Sequence, residues 1–280
     1  MKTGRLVLTL GLLLTGLGLS AAAWGQERAE EKTSIWPKKP AFSFRIGTYF
    51  SSVDTRVRID GANGRGTEID LGSVLKIPRT ATVFRANGDF RILSWLGVEA
   101  EYYRLNRSKV VAIDQEFTAG DIVFAVNDIV STKYITSYLD LALKFYLIHR
   151  QRLDLGFWVG AKGHFLQLGL ENQSAELGTV SVNRKTWFFV PAGGLQFSYS
   201  LLPRLYLYGK AGYFSYKVSD TKHFNNTRCD ISLDYYVWKS LGIGATYEYN
   251  RSTVESDNTR FVGLIKARAS GLQLYAVIGF

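Results

Sequence analysis

Three histidines and one cysteine are the side chains in these 280 residues best suited to general-base or nucleophilic chemistry: His149, His164, His223 and Cys229. A hydrolytic centre needs a base within hydrogen-bond reach of a nucleophile, with a third group orienting that base. His223 has Asp220, Lys222 and Asn225 close by in sequence, a combination that a polar loop supplies by chance. His164 lies two residues from Lys162 on the same face of an alternating segment, which fits a hydrogen-bonded interior histidine. His149 falls in a short turn. Cys229 has no second cysteine to pair with. Metal sites need clustered ligands at suitable spacing, and none occurs. Gly61–Gly66 (GANGRG) lacks the strand–helix context and the Lys-Ser/Thr of a phosphate loop. The sequence therefore offers no catalytic, cofactor-binding or metal-ligating residue and implies no cofactor, and the expectation is a protein that is not an enzyme.

The elements that would position such residues are set by the rest of the chain. Lys2 and Arg5 precede a 14-residue apolar run, Leu6 to Leu19, followed by the small-x-small sites Ala21-Ala22-Ala23 and Ala23-Trp24-Gly25. This is the layout of a cleaved secretory signal peptide, residues 1–25; the run is too short and glycine-rich to favour a spanning helix. Residues 26–40 are charged and carry two prolines, which predicts a tail without a fold of its own. From 41 to 280 apolar and polar residues alternate with period two. Phe84, Ala86, Gly88, Phe90 and Ile92 oppose Arg85, Asn87, Asp89 and Arg91; Leu153, Leu155, Phe157, Val159 and Ala161 oppose Asp154, Trp158, Lys162 and His164. The 27 glycines, 16 tyrosines and 17 phenylalanines beside only five prolines suit long strands joined by tight turns.

Alternation alone would also suit a soluble sandwich or lipocalin-like barrel. Three features favour strands in lipid. Short connections (92–96, 147–153, 201–205, 238–241) alternate with long polar stretches (60–79, 106–130, 171–185, 218–228, 251–259), the asymmetry of a membrane barrel with its short turns in the periplasm. The polar faces carry charge of both signs on nearly every strand, which leaves little core unless lipid covers the other face. The chain also ends on a strand, in which Leu272, Leu274, Ala276, Ile278 and Phe280 alternate with Gln273, Tyr275, Val277 and Gly279. This ending resembles the C-terminal signature of Gram-negative outer-membrane β-barrel proteins, and the resemblance implies that the barrel-assembly machinery reads the last strand. Gly66–Leu71 (GTEIDL) and Glu101–Ser108 (EYYRLNRS) resemble a little-characterised proteobacterial outer-membrane barrel group, with Gly72-Ser73 standing where an acidic pair often follows the Asp-Leu step. That likeness implies fold and location, with no substrate and no site residue.

The expected architecture is all-β: a single antiparallel transmembrane β-barrel over 41–280 in the outer membrane of a Gram-negative bacterium, with both termini periplasmic. About ten strands are expected, near 42–59, 80–92, 96–108, 130–147, 152–170, 185–201, 204–217, 228–238, 241–251 and 259–280, with eight or twelve as alternatives. Two irregularities are expected. Phe261, Gly263, Ile265 and Ala267 are out of phase with Leu272 and Leu274, so Gly271 should be a bulge or a turn. Pro191 cannot donate to a ladder, so a bulge or local edge should lie near it.

The net charge is +10, and its placement matters more than its sign. Arg45, Arg85, Arg91, Lys144, Lys162 and Lys210 fall on lumen-facing positions against Asp89, Glu99, Glu101, Asp140, Asp154, Asp230, Asp234 and Glu248. Such a near-balanced set predicts cross-linked charges rather than a one-sign filter, and it gives no reason to expect nucleic acid as a partner. Trp158, Tyr206, Tyr208, Phe214 and Trp238 are predicted to point inward and fill a narrow lumen, since wide aqueous channels appear only at about 16–18 strands. At the outer rim, Arg56, Arg58, Arg104, Arg107, Lys109, Lys133, Arg260, Lys266 and Arg268 suit lipopolysaccharide phosphates, or simply a solvated loop surface. Tyr102, Tyr103, Tyr247 and Tyr249 suit an outer aromatic girdle. The expected partners are thus outer-membrane lipids, lipopolysaccharide and the assembly machinery. The expected role is structural, surface-interacting or narrow-passage. A porin-like channel for small solutes is one alternative, and a lipid-modifying or proteolytic barrel enzyme another.

Overall fold

The computed structural model describes residues 39–62, 64–173, 180–219, 222–258 and 261–280. The expected signal segment, nearly all of the expected tail, and Arg260 lie outside these residues. Alternating branched, aromatic and polar residues form thirteen strands: β1 (Phe42–Ile59), β2 (Ile69–Asp70), β3 (Thr80–Leu93), β4 (Leu96–Ala112), β5 (Phe117–Ala119), β6 (Ile122–Phe124), β7 (Ile129–His149), β8 (Leu153–Asn172), β9 (Val180–Leu202), β10 (Leu205–Ser219), β11 (Lys222–Tyr236), β12 (Leu241–Asn258) and β13 (Phe261–Gly279).

Ten of these are long and form an antiparallel meander, β1-β3-β4-β7-β8-β9-β10-β11-β12-β13. β13 pairs back onto β1 from Ser43↔Gly279 to Ile59↔Gly263 and closes the barrel. Both ends of the described chain emerge at the end that carries the short turns. The strands continue well past the 9–11 residues that cross a bilayer and carry the long-loop end above it. The short strands decorate that end: β2 pairs with β1, and β5 and β6 form a hairpin. The hairpin turns through Gly120-Asp121, where Gly120 has φ +64°, a left-handed backbone that two-residue turns require.

The barrel is inside out relative to a soluble protein. Phe84, Leu147 and Leu195 are 64%, 65% and 71% exposed on the exterior, while Asp234 and Glu248 are 0% and 1% exposed within. Water does not tolerate such an exterior over a whole circumference, and lipid does.

The two expected irregularities resolve differently. β13 shows no register shift against β1 or β12, so Gly271 is neither a bulge nor a turn. Odd positions of β13 face inward throughout; Gln273, Tyr275 and Val277 are buried below Gly271, and Ile265 is buried above it. The phase is constant, and what changes is the interior the strand meets. At Pro191 a local edge is present: β9 pairs with β10 only from Leu202 to Gly194, while its pairing with β8 continues past the proline.

Candidate functional site

The lumen is built in three layers. Nearest the short-turn end is a network of ion pairs. Arg228 reaches Asp140 at 2.8 Å, Glu101 at 3.1 Å and Asp230 at 3.2 Å. Arg85 pairs with Glu101 at 2.6 Å and with Glu248. Lys210 donates to Glu99 at 2.7 Å, and Lys144 lies between Glu99, at 3.2 Å, and Asp89. Further down, Arg45 donates to Asp234 at 2.9 Å, and Arg91 and Lys39 meet Asp154 at 2.6 and 3.2 Å. Burying these charges is tolerable because each has opposite charges and hydrogen bonds around it; removing one partner is what costs. A cavity of about 970 Å³, its open mouth included, lies among these residues toward Lys39 and Asp154.

Above the charges, aromatic rings cross the lumen from strand to strand. Tyr49 meets Tyr103 at 5.9 Å, Tyr103 stacks on Tyr138 at 4.5 Å, and His164 stands between Tyr138 at 4.8 Å and Phe188 at 4.9 Å. Arg85 lies over the Tyr49 and Tyr103 rings, joining this row to the layer below by cation–π contact.

The third layer is apolar. The connection from β1 to β3 turns down into the barrel mouth, and Ile69, Leu71, Val74, Leu75 and Ile77 are at most 4% exposed. They pack with Ile113, Phe117 and Phe124 of the β4–β7 connection and with inward residues of β1, β7, β8, β9 and β13. Phe117 and Phe124 stack across the hairpin at 4.8 Å. Asp70 fixes the turn by accepting the backbone N–H groups of Gly72 at 2.8 Å and Ser73 at 3.0 Å, as Asp side chains do in turns. The two connections are tied by Thr67 N–H to the Thr118 carbonyl, 2.9 Å, and by Thr118 N–H to Thr67 Oγ1, 3.1 Å. Burying five branched side chains is worth on the order of 10 kcal/mol of transfer free energy, set against the entropy of ordering the connection.

No family model and no curated protein sequence matches the chain. Solved structures do match. The outer membrane protease OmpT of Escherichia coli aligns with a TM-score of 0.54 at 14% identity, over 89% of this chain and 99% of that one. OprG of Pseudomonas aeruginosa gives 0.41 at 12%, over 87% and 98%. The translocator domain of the autotransporter NalP of Neisseria meningitidis gives 0.39 at 11%, over 92% and 96%. At these identities the likeness is one of fold. The chain has the fold of a Gram-negative outer-membrane β-barrel. Its apolar belt, closed ladder and asymmetric ends suit that membrane.

Within this outer-membrane barrel the lumen-facing charges stand where the alternation puts them, with two additions. Arg228, 5% exposed, is the hub of the network; its parity with Asp230 and Asp234 was the available signal. Arg107, expected on the rim, is 5% exposed inside the barrel, where it donates to the Val53 and Pro78 carbonyls and to Thr55 Oγ1. It continues the inward odd positions of β4, whereas Arg104, on even parity, is exposed. With Lys39, which meets Asp154 inside the barrel, these two raise the lumen cations among the described residues from six to nine, against eight carboxylates. Tyr103, expected in the girdle, is likewise inward, while Tyr102 and Tyr247 are exposed on the outside. Trp158 and Tyr206 are buried, but Trp238 is 64% exposed because β11 ends at Tyr236 and the alternation ends with it. Arg58 is partly buried between Asp60 at 2.9 Å and Glu255 at 3.0 Å. The stretch 60–79, expected to be a polar loop, supplies much of the apolar layer.

The histidines do not come together. His149 bonds Asp154 at 2.6 Å at the short-turn end, His164 is enclosed in the aromatic row, and His223 lies 3.3 Å from Ser215 Oγ at the long-loop end. Among the described residues, no carboxylate hydrogen-bonds His223, and no group of three His, Cys, Asp or Glu side chains is placed to hold a metal.

Proposed function

We propose that this barrel is closed to bulk aqueous solutes and has a structural and surface-interaction role without catalysis. The observation that carries the reading is that two unlike seals, the ion-pair network and the apolar layer, lie in series along one lumen. An open porin needs a continuous wetted path, and the apolar layer opposes wetting where the charge network opposes passage. Purified protein in planar lipid bilayers should give no stable conductance steps. Large, stable steps would overturn the proposal in favour of a porin-like channel, the second reading, which the cavity near the short-turn end favours.

The outer surface supports the interaction role. Above the apolar belt Arg251 stands directly opposite Arg268 on adjacent strands, whereas Arg56 and Lys266, also opposite each other, are already compensated by Asp70 at 3.8 Å and Glu68 at 2.9 Å. Like charges facing each other across strands are unfavourable by themselves and become favourable when an anion bridges them. Lipopolysaccharide phosphates supply that anion in this reading, and the C-terminal strand serves the assembly machinery. A proteolytic or lipid-modifying activity would require His223, so activity on peptide or lipid A that His223→Ala abolishes would reverse the non-enzyme reading.

A further inference from the structure

The short-turn mouth of the barrel is crossed by the protein's own chain. Lys39 and Pro40 precede β1, and both line the large cavity described above. The Ala41 carbonyl accepts the Arg91 N–H of β3 at 2.7 Å, and Phe42 and Phe280 exchange backbone hydrogen bonds of 3.0 and 2.9 Å, which pins the chain to the wall there. Pro40 packs on the end of β13, where a Cβ on Gly279 would lie 3.0 Å from the Pro40 Cβ. Beyond it the Lys39 side chain reaches the hairpin between β7 and β8: Nζ donates to the Arg150 carbonyl at 3.4 Å and meets Asp154 at 3.2 Å. In the wall β3 and β4 separate β1 from that hairpin, so the side chain spans the opening rather than following the rim. Lys39 stands before a proline, which restricts its backbone to extended conformations and lessens the entropy lost in crossing.

Lys39 is also the member of its cluster that can leave. Asp154 is buried. Arg91 and Ser198 Oγ lie 2.6 and 2.9 Å from its Oδ2, and His149 Nδ1 lies 2.6 Å from its Oδ1. Those side chains belong to β3, β9 and β7 and are fixed by the wall. Lys39 makes the longest contact, 3.2 Å to Oδ2, and lies outside the ladder. Breaking a buried pair costs most where one charge is left uncompensated. When Lys39 departs, Arg91 still neutralises the carboxylate and the ammonium regains water, so neither charge is stranded. The cavity behind is walled by Asn87, Ser232, Thr246 and Gln273 besides the ion pairs, and a roomy polar cavity holds water. The lower lumen is thus a hydrated chamber with a detachable side chain across its mouth.

We propose that Lys39 and Pro40 form a releasable strap, pinned at Ala41. With Lys39 on Asp154 the strap holds the short-turn mouth narrow; with Lys39 swung out to water the chamber exchanges small solutes with the solution at that end. The proposal rests on the closed-lumen reading in one respect, that the chamber is blind above. Conductance tests the blind end and the following experiment tests the mouth, so the two fail separately.

The test uses refolded protein in detergent micelles carrying Cys229→Ser, which removes the exposed native thiol, and Ser232→Cys, which places a thiol on the chamber wall. The probes are two ethyl methanethiosulfonates, one bearing a trimethylammonium and one a sulfonate, and the labelling rate is followed by mass spectrometry. Lys39→Glu sets a carboxylate against Asp154 and should expel the strap, raising the rate at least tenfold for both probes. Lys39→Arg keeps the charge and should stay within threefold of the starting rate. In Asp154→Asn the strap has lost its anion, so the rate should already be high, and adding Lys39→Glu should change it no more than twofold. An unchanged rate in Lys39→Glu overturns the proposal. So does a rise for the cationic probe with a fall for the anionic one, which would show a change of potential without a change of access. So does a further tenfold rise from Lys39→Glu in the Asp154→Asn chain. Fast labelling with Lys39 in place overturns the strap, and conductance steps then tell whether the upper seals failed with it. Thr136→Cys, in place of the thiol at 232, reports on the buried lumen above the ion pairs. It should stay unlabelled in Lys39→Glu; labelling there as fast as at 232 would mean a loosened barrel and would overturn the strap. Heat-modifiable gel migration of each variant verifies that the barrel is folded.

Discussion

The lower and upper halves of this barrel use the same strands and the same alternation, with opposite chemistry. In β13, the lower even positions Leu272, Leu274 and Ile278 face lipid while Gln273 and Tyr275 face inward among polar groups. In the upper part of the same strand Arg268 is exposed outside and Ile265 is buried in the apolar layer. The solvent explains the reversal. Below, acyl chains cover the outside, so the inside is free to hold charge provided each charge is paired. Above, water covers the outside, and the strand ends regain the ordinary order of polar surface and apolar core. The aromatic row from Tyr49 to Phe188 marks the changeover.

The largest expected effect therefore belongs to the lower half. Arg228→Leu removes the shared partner of Glu101, Asp140 and Asp230, leaving carboxylates buried without it. Breaking one side of a buried pair costs roughly 3–5 kcal/mol. The urea midpoint for unfolding from lipid vesicles should fall accordingly. An unchanged midpoint would mean that the network is solvated and that the lower half is not sealed by it.

In the upper half the effect should be smaller in reach. Leu75 is 0% exposed at the centre of the apolar layer, and Leu→Ala in a core costs roughly 2–5 kcal/mol. That loss falls on the inserted connection rather than on the closed ladder. Leu75→Ala should accelerate protease cleavage within 60–79 while leaving heat-modifiable migration intact. A drop in the global urea midpoint as large as that of Arg228→Leu would erase the distinction between the halves.

The sequence carried the lower half well and the upper half poorly, for the same physical reason. A strand crossing lipid must alternate at every position, so ten strands, their faces and the eight lumen carboxylates were legible. Arg107 and Tyr103 were misplaced because their parity on β4 was subordinated to their height above the membrane, although parity governs the side chain's direction all the way up the strand. The stretch 60–79 hid its role because Leu71, Val74, Leu75 and Ile77 follow no strand period; they become a core only when the connection folds back into the mouth. The phase change at Gly271 was a real signal with the wrong cause attached, since it recorded a change of solvent and not of backbone. The unpaired upper edge between β9 and β10 left a partial trace, Pro191, because the loss of a ladder partner depends on where two separate strands diverge.

The smallest expected effect lies at the top of the upper half, and its dependence on pH and salt distinguishes surface electrostatics from packing. Lys76 donates to Asp114 at 2.9 Å, linking the two connections that form the apolar layer. That hydrogen bond and charge hold the Asp114 carboxyl below the usual carboxylate range. A depressed acid contributes stability above its unfolded-state value and loses it as pH falls through the folded one. Protease protection of 60–79 should therefore weaken slightly between neutral pH and about pH 3, at and below the ordinary aspartate range. The pair is exposed, so molar salt should shrink the change, and Asp114→Asn should remove this share of it. If protection collapses in acid as fully as in Leu75→Ala, and salt has no influence, the upper half is held by buried charge after all, and the contrast with the lower half fails at its base.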